Sequence, residues 1–125
     1  MSQKPRILLI DDSEATVEGL RNYLIPRFDV VTACNGLVGL KVFEEKENRP
    51  DLVITDLVMP LVSGIGLISL LKNKSPGTPI IAMTGWGQDP SELATVVKAD
   101  MILMKPFDLE ELDKSLNSLL VKSIP

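Results

Sequence analysis

Short apolar runs alternate with longer amphipathic segments along the chain. Each short run is rich in Ile, Val, Leu or Met, as is typical of buried strands. The runs cover residues 6–10, 29–34, 52–55, 78–83 and 101–104. The segments between and after them predict helices over about 13–25, 36–48, 64–73 and 89–98, and from 109 to about 120. The pattern therefore predicts five strands that alternate with five helices.

Three of the predicted helices carry one apolar face each, which we expect to pack against the sheet. The inward residues are expected to be Val17, Leu20, Tyr23 and Leu24 in the first helix, Leu37, Leu40 and Phe43 in the second, and Leu109, Leu112, Leu116 and Leu119 in the last. Ser13 and Asp108 are predicted to cap the first and last helices. The third helix is apolar over more than one face, which indicates either deeper burial under neighbouring elements or a surface that binds a partner. Our hypothesis is a partner-binding surface that includes Leu67 and Leu70, together with Leu61.

Strands that are joined by helices run parallel, because right-handed crossovers place the helices on both faces of the sheet. We therefore predict an α/β fold with one doubly wound, five-stranded parallel sheet. The 125 residues are enough for one core, and no linker or repeat divides them. We expect a single domain over residues 1–125, with its core at about 6–120.

Reactive side chains follow four of the five predicted strands. Asp11 and Asp12 follow the first strand, Asp56 the third, Thr84 the fourth and Lys105 the fifth. Each has a structural explanation by itself, such as a helix cap or a solvated charge. Parallel strands, however, place their carboxyl ends at one edge of the sheet, where open α/β sheets bind ligands. The four strand ends together therefore predict a functional site at that edge.

The residue types at this edge fit magnesium-dependent phosphoryl transfer. Three neighbouring carboxylates repel one another unless a cation compensates, and oxygen ligands favour Mg²⁺, for which Mn²⁺ can substitute. We expect Asp12 to bind the ion directly and Asp11 to bind it directly or through water. Asp56 would contact the ion and attack phosphorus, forming an aspartyl phosphate. Lys105 and Thr84 would interact with the oxygens of the transferred group.

The composition narrows the class of protein. A formal charge of −4 argues against general nucleic-acid binding, and no apolar run approaches the roughly 20 residues that span a bilayer. The absence of histidine excludes imidazole triads and His-ligated metals. Cys34 is the single cysteine, so it forms no internal disulfide, and we expect it to be buried in the second strand. The N-terminus lacks the pattern of a signal peptide, so we expect a cytoplasmic protein without membrane association.

The strand-end motifs, taken in order, resemble those of the receiver domains of two-component response regulators. The matching segments, over residues 6 to about 120, are Ile10-Asp11-Asp12, Asp56 with Met59-Pro60 and Gly64, Met83-Thr84-Gly85, and Lys105-Pro106-Phe107. The resemblance implies a flavodoxin-like sheet with the strand order 2-1-3-4-5. It also implies that a histidine kinase or phosphotransfer protein phosphorylates Asp56 and thereby switches a downstream effector protein or domain. The backbone carbonyl of Val58 would be a further metal ligand, and a cis peptide bond is expected before Pro106.

Three positions are expected to tune the rate or the output of such a domain. Ile102 stands where the family usually has Tyr or Phe, so the family's aromatic switch, which is tied to the Thr84 hydroxyl, has no ring at this position. The resemblance implies that phosphorylation does not need that ring, and leaves open how the output works without it. Val58 and Trp86 lie two residues past Asp56 and Thr84, where the family resemblance places the approach of hydrolytic water. Valine cannot orient water and an indole can shield the site, which predicts slow self-dephosphorylation.

Other protein classes fit the sequence less well. A phosphatase of the haloacid dehalogenase type needs a second acid two residues after the nucleophile, where this chain has Val58. A dinucleotide-binding domain needs a glycine-rich turn after the first strand, and that turn is acidic here. A constitutive interaction module with the receiver fold remains the alternative, because of Ile102. We expect a signalling phosphoprotein rather than a turnover enzyme, and a homodimer remains open.

Overall fold

The structure of the chain is a computed structural model that describes residues 4–57, 64–85 and 98–122. The strands in these ranges are β1 (Arg6–Ile10), β2 (Asp29–Ala33), β3 (Leu52–Asp56), β4 (Ile80–Thr84) and β5 (Met101–Met104). The helices are α1 (Glu14–Leu24), α2 (Gly36–Glu44), α3 (Gly64–Lys74) and α4 (Leu109–Lys122), and a short 3₁₀ turn covers Lys46–Asn48. Apart from Lys98, the helix predicted over 89–98 lies outside the described residues.

The strands form one parallel sheet in the order β2-β1-β3-β4-β5. This confirms the doubly wound α/β fold and the order that the family resemblance implies. The neighbours of β1 are β2 and β3, which pair with the same residues of β1 from its two sides. The first crossover therefore runs in one direction and the later ones in the other, so the carboxyl ends of β1 and β3 lie beside each other where the direction changes.

Apolar residues on the two faces of the sheet form two separate cores. Ile7 and Leu9 of β1 pack in the core that contains residues of α1 and α4, whereas Leu8 and Ile10 pack in the core that contains residues of α2 and α3. All four are fully buried. This follows from the strand geometry, because successive side chains point to opposite faces. Each buried aliphatic side chain contributes about 1.5–3 kcal/mol relative to an exposed one, so the unbroken apolar sequence of β1 stabilises both layers.

Side-chain caps begin three of the helices. Backbone N–H groups donate to the Ser13 hydroxyl at 3.3 Å, to Asn35 Oδ1 at 2.9 Å and to Asp108 Oδ1 at 2.8 Å. Ser13 and Asp108 are thus confirmed as caps. Such caps typically stabilise a helix by about 1 kcal/mol, because they satisfy N–H groups that have no partner within the first turn.

Two leucines predicted to face the core are instead exposed. Leu37 in α2 is 47% exposed, and Leu109 at the start of α4 is 43% exposed. In α2 the side facing the sheet is set by Gly39, where an added Cβ would lie 2.5 Å from Cδ1 of Ile10. That close approach, with Phe43 one turn further along the same face, directs Leu37 outward. Leu109 occupies the first turn of α4, before the buried positions begin at Leu112.

The second strand and second helix end earlier than the sequence pattern indicates. β2 ends at Ala33, so Cys34 lies past the edge strand and is exposed, contrary to the prediction of a buried thiol. α2 ends at Glu44 rather than near Asn48, because Glu45 takes up an extended conformation and a 3₁₀ turn follows. Arg49 is also extended, as is expected for the residue before a proline.

The exposed apolar residues of α3 only partly match the predicted partner surface. Leu67 is fully buried against the sheet, so its assignment to a binding surface is wrong. Leu70 is 43% exposed and Ile65 is 40% exposed, whereas Leu61 lies outside the described residues. A partner surface therefore remains a prediction for the exposed Leu70, and also for Leu61, which the described residues do not include.

A polar brace joins α1 to α4 across the outside of the core. Asp113 of α4 accepts a hydrogen bond from the Tyr23 hydroxyl at 2.6 Å and pairs with the Arg27 guanidinium at 2.7 Å. These two hydrogen bonds lower the pKa of the Asp113 carboxyl below its ordinary value of 3.8. The same contact with Asp113 raises the pKa of Tyr23 and of Arg27.

We expect this brace to make the free energy of unfolding fall as the pH becomes acidic. Because its pKa is lowered by folding, Asp113 contributes stability in full above its ordinary value of 3.8, and loses it as the pH falls through the lowered value. The wild type should therefore be more stable than Asp113→Asn at about pH 6, and the difference in the free energy of unfolding should narrow as the pH falls below 3.8. Urea midpoints of both proteins over this range would test it, with Glu110→Gln in the same helix as control. A gap that stayed constant down to the lowest pH would contradict the ionic role of Asp113.

Candidate functional site

Backbone hydrogen bonds extend the sheet ladder to the predicted site residues. Asp11 donates its N–H to Ala33 at 3.1 Å, Leu57 donates to Met83 at 3.0 Å, and Lys105 donates to Thr84 at 2.7 Å. In each case the donor is the first residue after a strand, and the acceptor is a residue of the neighbouring strand. The end of each of these three strands is therefore fixed to its neighbour. This is why side chains from three distant parts of the sequence keep a defined mutual position at the carboxyl edge.

The three predicted acids form one cluster at this edge. Carboxylate oxygens of Asp11, Asp12 and Asp56 all lie within 4.8 Å of one another. Asp11 and Asp56 are buried, whereas Asp12 is exposed and opens the cluster to solvent. Asp11 is also fixed from the helix side, because its Oδ1 accepts the N–H of Ser13 at 2.9 Å. Sequence reasoning found Ser13 as a helix cap but missed this second contact, which needs the turn geometry.

Lys105 supplies a positive charge to the acidic cluster. Its Nζ lies 2.9 Å from Asp11 Oδ2 and 3.5 Å from Asp56 Oδ2. Burial opposes the charged form of Lys105, but the hydrogen bond and charge of Asp11, followed by those of Asp56, raise the pKa of the lysine above its ordinary value. Three carboxylates and one ammonium leave a formal excess of two negative charges. The site therefore has the donors and the charge to hold one divalent cation.

Thr84 is the residue whose environment points most directly to a bound ligand. It is fully buried at the end of β4, and its hydroxyl has no hydrogen-bond partner in the part of the chain that the structure describes. Leaving a buried hydroxyl without a partner costs about 1–3 kcal/mol. An acceptor oxygen brought by a ligand would satisfy it, which explains a threonine where an apolar residue would otherwise be more stable.

The residues predicted to tune the site are placed only in part. Ile102 lies in β5, half-buried against the core beneath α2 and α3, and the peptide bond between Lys105 and Pro106 is cis, as the resemblance implied. Val58 and Trp86 lie outside the described residues, so their predicted roles stay predictions.

An apolar groove that the sequence did not reveal runs beside Lys105. It has a volume of about 600 Å³ and lies between α1 and the segment that leads into α4. Its walls are Ala15, Gly19 and Leu20 on one side and Pro106, Phe107 and Leu109 on the other. The residues of the two walls are far apart in sequence. One wall includes Leu109, which was predicted to be buried but is exposed.

A parallel sheet of this order, with acids and a lysine at its carboxyl edge, defines a doubly wound ligand-binding domain. Comparison with known families identifies it further, because the family model of the response regulator receiver domain matches residues 7–117. The chain therefore belongs to the response regulator receiver domain family.

Curated relatives agree with this assignment. A probable transcriptional regulator ycf27 of Porphyridium aerugineum is 36% identical over 121 residues, which is 94% of this chain and 49% of the relative. The transcriptional regulatory protein PrrA of Mycobacterium tuberculosis is 30% identical over 118 residues, which is 93% of this chain and 50% of that protein. The chain thus spans about half the length of these two relatives.

Solved structures agree as well. A response regulator receiver domain protein of Clostridium thermocellum is 32% identical, with a TM-score of 0.86 over 95% of this chain and 96% of the other. The response regulator TrrA of Thermotoga maritima, solved in complex with Mg²⁺ and BeF, is 33% identical, with a TM-score of 0.82 over 94% of this chain and all of its own.

Among the described residues, no helix is both long and apolar enough to cross a bilayer.

Proposed function

We propose that Asp56 accepts a phosphoryl group from a histidine kinase or phosphotransfer protein, and that the modification switches a downstream effector protein or domain. The observation that carries this is the contact of Lys105 with Asp56 and Asp11, beside a buried Thr84 hydroxyl that has no hydrogen-bond partner among the described residues. In the reaction, an oxygen of Asp56 bonds to phosphorus while the bond from phosphorus to the donor histidine nitrogen breaks. The electron pair of that bond stays on the imidazole.

The acidic cluster fits Mg²⁺, or Mn²⁺ in its place. Asp11, Asp12 and Asp56 would hold the ion, and the backbone carbonyl of Val58, outside the described residues, completes the proposed ligand set. When bound, the ion neutralises the carboxylates and the oxygens of the entering phosphoryl group. The excess of two negative charges in the cluster and the hard oxygen donors support this choice of metal.

Lys105 and Thr84 have complementary roles toward the phosphoryl oxygens. Before transfer, Lys105 is held by Asp11 and Asp56 within reach of the acceptor. Once Asp56 carries the phosphoryl group as an acyl phosphate, its carboxylate charge is lost and the negative charge lies on the phosphoryl oxygens, so the ammonium can pair with one of them. The Thr84 hydroxyl donates to another and so satisfies its own buried oxygen. Stabilisation of this kind accounts for most of the catalysis in phosphoryl transfer.

We propose that the protein is a cytoplasmic signalling domain and that it does not turn over a substrate as an enzyme does. Two of the relatives are named as transcriptional regulators, and this chain covers about half of each. An effector that is regulated by the phosphorylated domain is thus part of the proposal, whereas its identity is left open. A constitutive interaction module with the receiver fold would have the same site, so the two functions are separated by whether acetyl phosphate and Mg²⁺ change the structure of the protein.

The experiment that tests the proposed function is phosphorylation by a small donor. The protein is incubated with acetyl phosphate and Mg²⁺, its intact mass is measured, and the modified peptide is mapped. We expect one phosphoryl group on the peptide that contains Asp56, and none when the metal is removed with a chelator. Uptake without metal, or a label on another peptide, would contradict the proposal.

The groove between α1 and the start of α4 is where we expect the protein donor to bind. It adjoins Lys105 and so lies next to the acceptor, and an added Cβ at Gly19 would meet no other atom within 4 Å. Gly19→Leu should therefore fill the groove without disturbing the core. Transfer from the cognate kinase should slow strongly, whereas labelling by acetyl phosphate should stay at the wild-type rate. Gly77→Leu, in an open turn at the other edge of the sheet, is the control. Equal kinase rates for all three proteins would exclude this docking site.

Slow self-dephosphorylation is a further prediction, drawn from the side chain at position 58. Valine offers no hydrogen bond to an attacking water, whereas asparagine offers both a donor and an acceptor. Val58→Asn should therefore lose its phosphoryl group faster than the wild type. The decay of phosphorylated protein after removal of the donor gives both rates. A wild type that decayed as fast as the variant would show that residue 58 does not limit the approach of water.

A further inference from the structure

The first residue of α3 lies unusually close to the backbone of the acceptor strand. A Cβ at Gly64 would lie 2.5 Å from the carbonyl oxygen of Asp56, 2.5 Å from Cα of Leu57 and 3.0 Å from its carbonyl carbon. Real Cβ atoms are essentially never found this close to other atoms. All three obstacles are backbone atoms, so no side-chain rotation can relieve the clash. A larger residue at position 64 must therefore move either α3 or the end of β3.

The end of β3 is held against this movement on its other sides. Asp56 is paired with Met83 in the sheet, and Leu57 donates its N–H to the Met83 carbonyl at 3.0 Å. The Asp56 carbonyl accepts the Thr55 hydroxyl at 3.1 Å, and Gly64 donates its own N–H to the Leu57 carbonyl at 3.1 Å. The peptide that carries the acceptor side chain is therefore enclosed between β4 and the start of α3.

We propose that Gly64 is a positioning residue for phosphorylation: by lacking a side chain, it lets the start of α3 fix the Asp56 backbone, and with it the carboxylate, against Lys105 and Asp11. This rests on the proposed function of Asp56. The carboxylate of Asp56 lies 3.5 Å from Lys105 Nζ, at the outer limit of a hydrogen bond, so a small displacement breaks the contact. A displacement of about 1 Å can cost about 10²-fold in rate.

Gly39 provides the matched control for a buried helical glycine under similar crowding. Its added Cβ would also meet an atom at 2.5 Å, but that atom is Cδ1 of Ile10, the end of a flexible side chain. Gly39→Ala should therefore cost stability through packing and leave the position of Asp56 unchanged. Gly77→Ala, with open space around its Cβ, controls for the loss of glycine itself.

The experiment compares the three alanine variants with the wild type in two ways. The first is the amide NMR spectrum without metal or donor, in which Gly64→Ala should shift the signals of Asp56, Leu57 and Lys105, and the control variants should not. The second is the rate of labelling by acetyl phosphate at saturating Mg²⁺. The maximal rate should fall about 10²-fold in Gly64→Ala, with little change in the donor concentration at half-maximal rate.

The outcomes separate this proposal from the proposed function. A folded Gly64→Ala with wild-type signals at Asp56 and a wild-type maximal rate would overturn the positioning role. If Gly64→Ala is unfolded in buffer, the spectra are recorded in sucrose, which favours the compact state. A chain that stays unfolded there shows that Gly64 serves the whole fold, which also overturns the proposal. If the wild type takes up no phosphate, the proposed function fails, while the amide signals still decide whether Gly64 fixes Asp56.

Discussion

Asp56→Asn is expected to take up no phosphoryl group from acetyl phosphate under conditions in which the wild type is labelled to one equivalent. Asparagine preserves the shape of the side chain, but its amide is a poor nucleophile and removes one of three negative charges from the cluster. Asp56 lies at the end of the buried strand β3, in contact with Lys105, whose ammonium would pair with an oxygen of the transferred phosphoryl group. Intact-mass measurement over time decides the result.

Asp51→Asn is the matched control for this substitution. Asp51 precedes the same strand at the opposite edge of the sheet, where its carboxylate accepts the N–H of Arg6 at 2.7 Å. The amide oxygen of asparagine can accept the same hydrogen bond, so the variant should fold and be labelled like the wild type. Stoichiometric labelling of Asp56→Asn, or loss of labelling in Asp51→Asn, would show that the acceptor lies elsewhere.

Lys105→Met should slow phosphorylation by about 10²–10³-fold, the usual effect of removing one donor from a site that stabilises a developing negative charge. Methionine retains much of the length of the side chain, so the walls of the nearby groove should remain. The effect should fall on the maximal rate, because Lys105 binds the phosphoryl oxygens most strongly as they gain charge. The rate of labelling by acetyl phosphate at saturating metal measures it. Lys114→Met, an exposed lysine on α4, should label at the wild-type rate.

The same variant should lose stability when no metal is present. The Asp11 side chain is completely buried, and Lys105 neutralises it at 2.9 Å. Without the ammonium, the buried Asp11 carboxylate keeps, within the part of the chain that the structure describes, only the N–H of Ser13 as a hydrogen-bond donor, at 2.9 Å. The free energy of unfolding should fall by about 1–3 kcal/mol in chelator. Mg²⁺ should restore much of it, because the ion can replace the missing cation. A variant with wild-type phosphorylation and wild-type stability would contradict both roles of Lys105.

The sheet and the placement of the strand-end residues could be predicted because both depend on local pattern. Apolar runs define the strands, and the helices between them require a parallel sheet whose carboxyl ends share one edge. Asp11, Asp56, Thr84 and Lys105 are therefore brought to that edge by topology alone. The strand order came from the family resemblance, because apolar runs do not state which strand lies beside which.

The features that the sequence did not reveal depend on contacts between distant segments. Leu37 has the spacing of a core residue, but the close approach of Gly39 to Ile10 rotates α2 and exposes it. Cys34 follows an apolar run, yet the pairing of β2 with β1 ends at Ala33. Two further features, the Thr84 hydroxyl without a partner among the described residues and the crowding at Gly64, likewise depend on distances between segments. A linear pattern contains no such distances.

The brace between α1 and α4 links two helices on the same side of the sheet. Asp113 joins Tyr23 and Arg27, and Arg27 also stacks at 5.4 Å and 5.3 Å from the ring centres of Tyr23 and Phe28. The two helices on that side of the sheet are therefore coupled outside the core as well as within it. We expect a protein donor to meet the same docking geometry before and after phosphorylation of Asp56. We expect the structural response to Asp56 modification to travel toward the opposite side of the sheet, through Thr84 and Ile102. On that side an ion pair between Lys74 and Glu44 joins the ends of the two described helices, α2 and α3. Recognition of the donor and delivery of the signal would then belong to opposite faces of one sheet.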